Sequence, residues 1–142
     1  MRKTAVAIGL LLLPLTALAL DYTDVSTQYK DAKRFSVADR AGISVLTSLG
    51  AVSGFPDGTF LPARSVNRAE FLKIVLLSTR NLLTSPSDAA NCFPDVHKAD
   101  WFSRYVCLAK SRTILAGYPD GLFHPERSVN YAEAVKILMN MN

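Results

Sequence analysis

Residues 54–70 read GFPDGTFLPARSVNRAE and residues 117–133 read GYPDGLFHPERSVNYAE, so one stretch occurs twice at an offset of 63 residues. Self-similarity at a fixed spacing is typical of tandem-repeat proteins, in which each copy is one supersecondary unit that cannot bury its apolar face alone. The fold and the function are therefore interpreted through two copies of one unit.

Each copy combines a turn signal with a helix start. In Pro-Asp-Gly, proline presets its own φ, aspartate bonds the local backbone and glycine accepts a positive φ, which predicts tight turns at 56–58 and 119–121. An asparagine followed three residues later by a glutamate then predicts a capping box in each copy, formed by Asn67 with Glu70 and by Asn130 with Glu133.

The spacing of apolar residues predicts four helices and an all-α fold, with tandem helix–loop–helix repeats packed as a small bundle. The helices are expected over 35–49, from Asn67 through 77, over 101–112 with Asp100 as N-cap, and from Asn130 through 138. The second and fourth are apolar on nearly every side, which is typical of helices buried among others. Repeat 1 is expected at 20–80, a linker at 81–91 and repeat 2 at 92–142, with residues 22–25 matching 93–96 at an offset of 71.

The first 19 residues have the features of a secretory signal peptide. Arg2 and Lys3 precede an apolar run over 5–15, and Ala17-Leu-Ala19 fits a cleavage site, so the mature chain is expected to begin at Leu20 and to be exported. No later stretch approaches the about 20 apolar residues that cross a bilayer, so no membrane span is expected after signal removal.

Cys92 and Cys107 are expected to form a disulfide, because export exposes them to oxidising conditions. Free thiols, a zinc site and a catalytic thiol are the alternatives. The chain has no C-x-x-C pair, and neither His97 nor His124 supplies a convincing second pair of zinc ligands.

The basic residues are scattered without interleaved aromatics, so nucleic-acid binding is not expected. No cofactor, metal or catalytic constellation is indicated, and an enzyme is the least supported class.

The two copies resemble the S-layer homology repeat, whose outline is F-x-D-V, a helix, G-Y-x-D-G-T-F-x-P and a T-R-A-E-like helix start. The resemblance covers essentially all of the expected mature chain. It implies a helical module that holds an exported protein non-covalently on the cell envelope by binding cell-wall polysaccharide, which in this family is typically pyruvylated and anionic. It also implies three repeats around a pseudo-threefold axis, with ligand grooves between repeats, so two repeats would form an incomplete arrangement.

Arginines and aromatic residues near the helix starts are the predicted ligand-binding residues. Unpaired N–H groups and the helix dipole favour an anion there, a guanidinium recognises a carboxylate bidentately, and aromatic rings can face a sugar. The candidates are Arg68, Arg64, Arg127, Trp101, Tyr118 and Phe55. Arg68 is preferred because it occupies the arginine position of the family motif, where repeat 2 has Tyr131.

Alternative interpretations remain for these residues and for the whole chain. Phe55 and Tyr118 can be loop plugs, Trp101 can belong to the core, and Arg64 and Arg127 can be solvated charges. The chain can also be a structural or oligomerisation module with a vestigial sugar site, or a fragment of a larger anchored protein. Its apolar last helix favours self-association or a missing third repeat.

Overall fold

The computed structural model describes residues 25–79 and 91–141. The predicted signal peptide, and all of the predicted linker except Asn91, lie outside these residues. The described chain forms four α-helices, α1 (Val37–Ser48), α2 (Arg68–Ser78), α3 (Ser103–Ser111) and α4 (Tyr131–Met139). Within these residues no strand is found, and one isolated antiparallel bridge joins Asn67 to Ser128. The all-α prediction is confirmed, and no described helix is long and apolar enough to cross a membrane.

Side-chain caps fix the starts of α2 and α4. The Glu70 N–H donates to the Asn67 side chain at 2.8 Å, and the Asn67 N–H donates to the Glu70 carboxylate at 3.0 Å. Asn130 and Glu133 make the same reciprocal pair at 2.9 and 3.1 Å. Helix α1 starts with a third capping box, in which the caps are Ser36 and Asp39. This box was not predicted, and because of it α1 begins at residue 37 rather than 35.

The predicted N-cap of α3 is wrong. Helix α3 begins at Ser103, and no side chain caps its first turn. The Asp100 carboxylate instead accepts the N–H of His97 at 2.7 Å, and the Asp100 carbonyl accepts the N–H of Ser103. Asp100 therefore accepts hydrogen bonds within the turns before the helix, and α3 begins at Ser103 rather than at residue 101.

The predicted match of residues 22–25 with 93–96 is also wrong. The Asp95 carboxylate accepts the N–H groups of Phe123 at 2.9 Å and His124 at 2.7 Å, which fastens the opening of repeat 2 to its own turn loop. In repeat 1 the same two bonds are made by Asp31, each at 2.9 Å. Asp31 is therefore the counterpart of Asp95, at an offset of 64, because the loop contact rather than a short letter match defines equivalence.

The main core joins α2 to repeat 2. Leu72 and Leu76 of α2 are fully buried, and α2 packs against α3. They belong to one apolar cluster with Phe93, Val96, Phe102, Tyr105, Val106, Cys107, Ala109, Ile114, Leu115, Phe123 and Ile137. A smaller cluster lies in repeat 1 and contains Val25, Tyr29, Ala32, Phe35 and Ile43. The second helix of repeat 1 is therefore buried by the repeat that follows it.

A disulfide joins Cys92 to Cys107, with an S–S distance of 2.09 Å and a Cα–Cα distance of 5.4 Å. Cys107 lies on α3 and is buried, so the bond ties the opening of repeat 2 to the helix that packs against α2. The disulfide thereby cross-links repeat 2 internally, next to its contact with α2 of repeat 1.

Candidate functional site

A cavity of about 330 Å³ lies where the turn loop of repeat 1 meets the start of repeat 2. Repeat 1 supplies residues from 51–55, 60–62, 64, 66, 70, 73 and 74, and repeat 2 supplies Trp101. We call it the seam cavity. Its walls come from both repeats, so its shape depends on how they pack.

Three of the predicted ligand-binding residues, Phe55, Arg64 and Trp101, line the seam cavity. The Arg64 guanidinium lies 4.9 Å from the centre of the Phe55 ring and forms an ion pair with Glu70. Trp101 is 52% exposed, so its indole is a wall of the cavity rather than a core residue. With Phe60, the cavity thus has three aromatic residues in its wall and one arginine that is already paired.

Lys73 also lines the seam cavity, although it is not among the predicted ligand-binding residues. Its Nζ lies 6.0 Å from the centre of the Trp101 ring, and none of the ion pairs found within 25–79 and 91–141 includes it. Among the described residues, the Lys73 ammonium is therefore the cavity cation without a carboxylate partner. A signal was present in the sequence, because Lys73 is the one charged residue in the apolar run 71–77 and recurs as Lys136.

The other three predicted residues form a second group, which we call the Tyr118 cluster: Arg68, Tyr118 and Arg127. The guanidinium groups of Arg68 and Arg127 lie 4.8 and 4.7 Å from the centre of the Tyr118 ring. Arg68 is only 6% exposed, and it donates to the carbonyl of Ala116 at 3.2 Å. Its second ring contact is Phe123, at 5.1 Å. Arg68 of repeat 1 is thus inserted into repeat 2.

Hydrogen bonding and charge shift two pKa values in the Tyr118 cluster. Burial and the hydrogen bond that its hydroxyl donates to Glu133 raise the pKa of Tyr118 above its ordinary value. Burial also acts to raise the pKa of Glu133. The Tyr118 hydroxyl, the Asn130 N–H and the charges of Arg68 and Arg127 outweigh it, so the Glu133 pKa lies below its ordinary value. Glu133 is therefore a carboxylate at neutral pH, and it offsets positive charge in the cluster.

The expected unpaired N–H groups at the start of α2 are not present. The N–H of Arg68 donates to the carbonyl of Arg127 at 2.9 Å, and the N–H of Ala69 donates to the carbonyl of Pro125 at 3.1 Å. The Asn67 side chain caps the N–H of Glu70. The prediction that this helix start attracts an anion through free N–H groups is wrong, because repeat 2 supplies the acceptors.

Comparison with known proteins identifies the repeat. The sequence profile of the S-layer homology domain matches residues 28–72 and 93–135. The first match starts just before Tyr29 and Asp31, in agreement with the contacts that make Asp31 the counterpart of Asp95. The two matches together include α1, α3, most of α4 and the start of α2.

Curated relatives share this region. The chain is 35% identical over 96 residues to the middle cell wall protein of Brevibacillus brevis, covering 66% of this chain and 9% of the relative. It is 30% identical over 129 residues to the surface layer protein of Brevibacillus choshinensis, covering 87% and 12%. It is 30% identical over 115 residues to the cellulosome-anchoring protein of Acetivibrio thermocellus, covering 80% and 25%. The chain spans a quarter or less of the length of these relatives.

Proposed function

Because the chain belongs to the S-layer homology family, we propose that it holds an exported protein at the cell envelope without a covalent bond, by binding an anionic cell-wall polysaccharide in the seam cavity. The relatives are named for the cell wall, the surface layer and cellulosome anchoring, which supports a role at the cell surface. The role is binding rather than catalysis.

The observation that carries the proposal is the pairing of Lys73 with Trp101 in the cavity wall. An exposed indole presents an apolar face to a sugar ring, and an unpaired ammonium attracts a carboxylate such as a pyruvate ketal. Arg64 is less suited to this task, because Glu70 already neutralises it. The cavity volume of about 330 Å³ lies at the lower end of the range for small-molecule sites, which suits one or two sugar units of a longer chain.

The family motif makes Arg68 the preferred ligand contact, whereas burial makes it a poor one in this chain. Its guanidinium is 6% exposed and is occupied by Tyr118, Phe123 and the Ala116 carbonyl. We therefore assign the carboxylate to Lys73. Arg68 has a supporting role, since it joins the two repeats that form the cavity.

Sedimentation with purified cell-wall sacculi tests the proposal. The unmodified chain is expected to co-sediment, and chemical removal of pyruvate ketals is expected to weaken binding. Lys73→Gln and Trp101→Ala are each expected to weaken it about tenfold, the effect of losing about 1.4 kcal/mol. Lys136→Gln is the matched control, because it removes the counterpart lysine on α4 and is expected to leave binding unchanged.

Two results would contradict the proposal. Absence of binding to both native and ketal-free sacculi would reject a wall-polysaccharide ligand. Equal losses for Lys73→Gln and Lys136→Gln would reject the seam cavity as the site. Retention of fold in each variant is checked by far-ultraviolet circular dichroism.

A further inference from the structure

The contact between the repeats buries one face of α2. Along that face Ala69, Leu72 and Leu76 have no exposed surface, Val75 is 9% exposed and Arg68 is 6% exposed. Two backbone hydrogen bonds set the register of the contact. The N–H groups of Arg68 and Ala69 donate them to carbonyls in the turn loop of repeat 2. The second helix of repeat 1 is thus complete only when another repeat covers it.

Helix α4 carries the same face without a cover. The residues 63 positions later than those of α2 are Tyr131, Ala132, Val135, Leu138 and Met139. Tyr131 is 86% exposed, Met139 is 70% exposed and Leu138 is 47% exposed. Within the described chain no acceptor is found for the N–H groups of Tyr131 and Ala132. The apolar surface and the backbone donors of the contact are therefore both present on α4 and have no partner among the described residues.

Repeat 1 carries the receiving surface, which is likewise exposed in the part of the chain that the structure describes. Pro62 and Arg64 are the counterparts of Pro125 and Arg127, whose carbonyls accept the α2 N–H groups, and both lie on the surface. Val45 of α1 is 48% exposed, whereas its counterpart Leu108 on α3 is 5% exposed. One chain thus holds a donor face on α4 and an acceptor face on repeat 1, and no residue within 25–79 or 91–141 occupies either of them.

We propose that α4 of one chain docks onto repeat 1 of a second copy in the register that already joins α2 to repeat 2. In this register the N–H groups of Tyr131 and Ala132 donate to the carbonyls of Arg64 and Pro62 of the second copy. The ring of Tyr131 lies across Phe55, as the Arg68 guanidinium lies across Tyr118. The contact continues the existing inter-repeat interface with the chain's own unused surfaces.

The contact is head-to-tail, so each copy has one donor face and one acceptor face. Such contacts close into a ring or continue as a filament. Docking also adds Tyr131 to the wall of the seam cavity, beside Phe55. The proposal thus goes beyond saccharide binding by a single chain, and it is tested without any saccharide.

Analytical ultracentrifugation of the purified chain measures the association. The mass is expected to rise above that of one chain with concentration, and the double variant Leu138→Glu/Met139→Glu is expected to stay monomeric. The control is Ala99→Glu, which places a carboxylate at an exposed loop residue and is expected to associate normally. A monomer at all concentrations up to about 1 mM, or equal association of the control and the double variant, would overturn the proposal.

Cross-linking between two single variants tests the register even if the double variant unfolds. Ser53 is the counterpart of Ala116, whose carbonyl accepts the bond from Arg68. A mixture of Tyr131→Cys and Ser53→Cys chains is expected to form a mixed dimer with a short bis-maleimide. A mixture of Tyr131→Cys and Ala99→Cys chains is expected to form little. Equal yields in the two mixtures would contradict the proposed register.

Discussion

Arg68→Ala is expected to destabilise the chain far more than Tyr131→Ala, although the two residues occupy the same position in the two repeats. Arg68 makes two ring contacts in a desolvated setting and one hydrogen bond to a carbonyl. Desolvated cation–π contacts contribute about 1–2 kcal/mol each and a charged hydrogen bond about 1.5–3 kcal/mol. Burial of the guanidinium, whose Nε has no hydrogen-bond partner within the described chain, offsets part of this. A net loss of about 2–3 kcal/mol is expected on this reasoning.

Tyr131 is 86% exposed, so Tyr131→Ala is expected to change the stability of a monomer by less than about 0.5 kcal/mol. Urea denaturation of dilute protein measures both values from the transition midpoints. Arg68→Lys is an informative intermediate, because it keeps the charge and loses the planar group that stacks on Tyr118. If Arg68→Ala were as mild as Tyr131→Ala, the guanidinium would not join the repeats, and the argument from burial would fail.

Three further predictions concern stability. The double substitution Cys92→Ala/Cys107→Ala removes the disulfide and is expected to lower the free energy of unfolding by about 3 kcal/mol, because the unfolded chain gains the entropy of the opened loop. Calorimetry measures this change, with the reduced wild-type chain as the control. Gly117→Ala is expected to destabilise the fold, because the new Cβ would lie 2.7 Å from the Phe93 ring. Gly42→Ala on α1 meets nothing within 4 Å and is expected to stabilise the fold by about 0.5–1 kcal/mol. Changes of the same sign in the free energy of unfolding of the two variants would contradict this. The folded-state pKa of Glu133 is lowered, so its stabilising contribution is present above its ordinary value of 4.5 and is lost as the pH falls through the folded-state value. The melting temperature is expected to fall on acidification, and Glu133→Gln is expected to reduce that fall.

The turns and the starts of two helices were predictable, because they depend on neighbours in the sequence. A capping box needs only two side chains three residues apart, and Asn67 with Glu70 makes both of its hydrogen bonds in the structure. The wrong N-cap is a local error, because Asp100 accepts the N–H groups of His97 and Ser103, whereas the wrong repeat match concerns contacts far apart in the sequence. The carboxylate of Asp31 is identified by the loop N–H groups it accepts 29 and 30 residues later, and no local pattern distinguishes Asp31 from Asp24.

The candidate site was predictable only in part, because residue type does not reveal exposure. Arg64 and Arg68 look alike in the sequence, yet one lines a cavity and the other is buried in the next repeat. Lys73 stands out in the sequence as the one charged residue of an apolar run, but that pattern does not reveal what the side chain faces. Its position next to Trp101 is a consequence of the packing of α2 on α3, which connects residues 28 positions apart.

The proposed saccharide binding in the seam cavity depends on the packing of the two repeats. Lys73 lies on α2, Trp101 lies just before α3, and these helices are held together by the core and by Arg68. A ligand that contacts both residues binds only when the repeats are packed, so the apparent dissociation constant is the intrinsic value divided by the packed fraction. Loss of Arg68 can therefore weaken saccharide binding while every cavity residue is intact. On the proposed function, an arginine in the family motif thus contributes to anchoring without touching the polysaccharide.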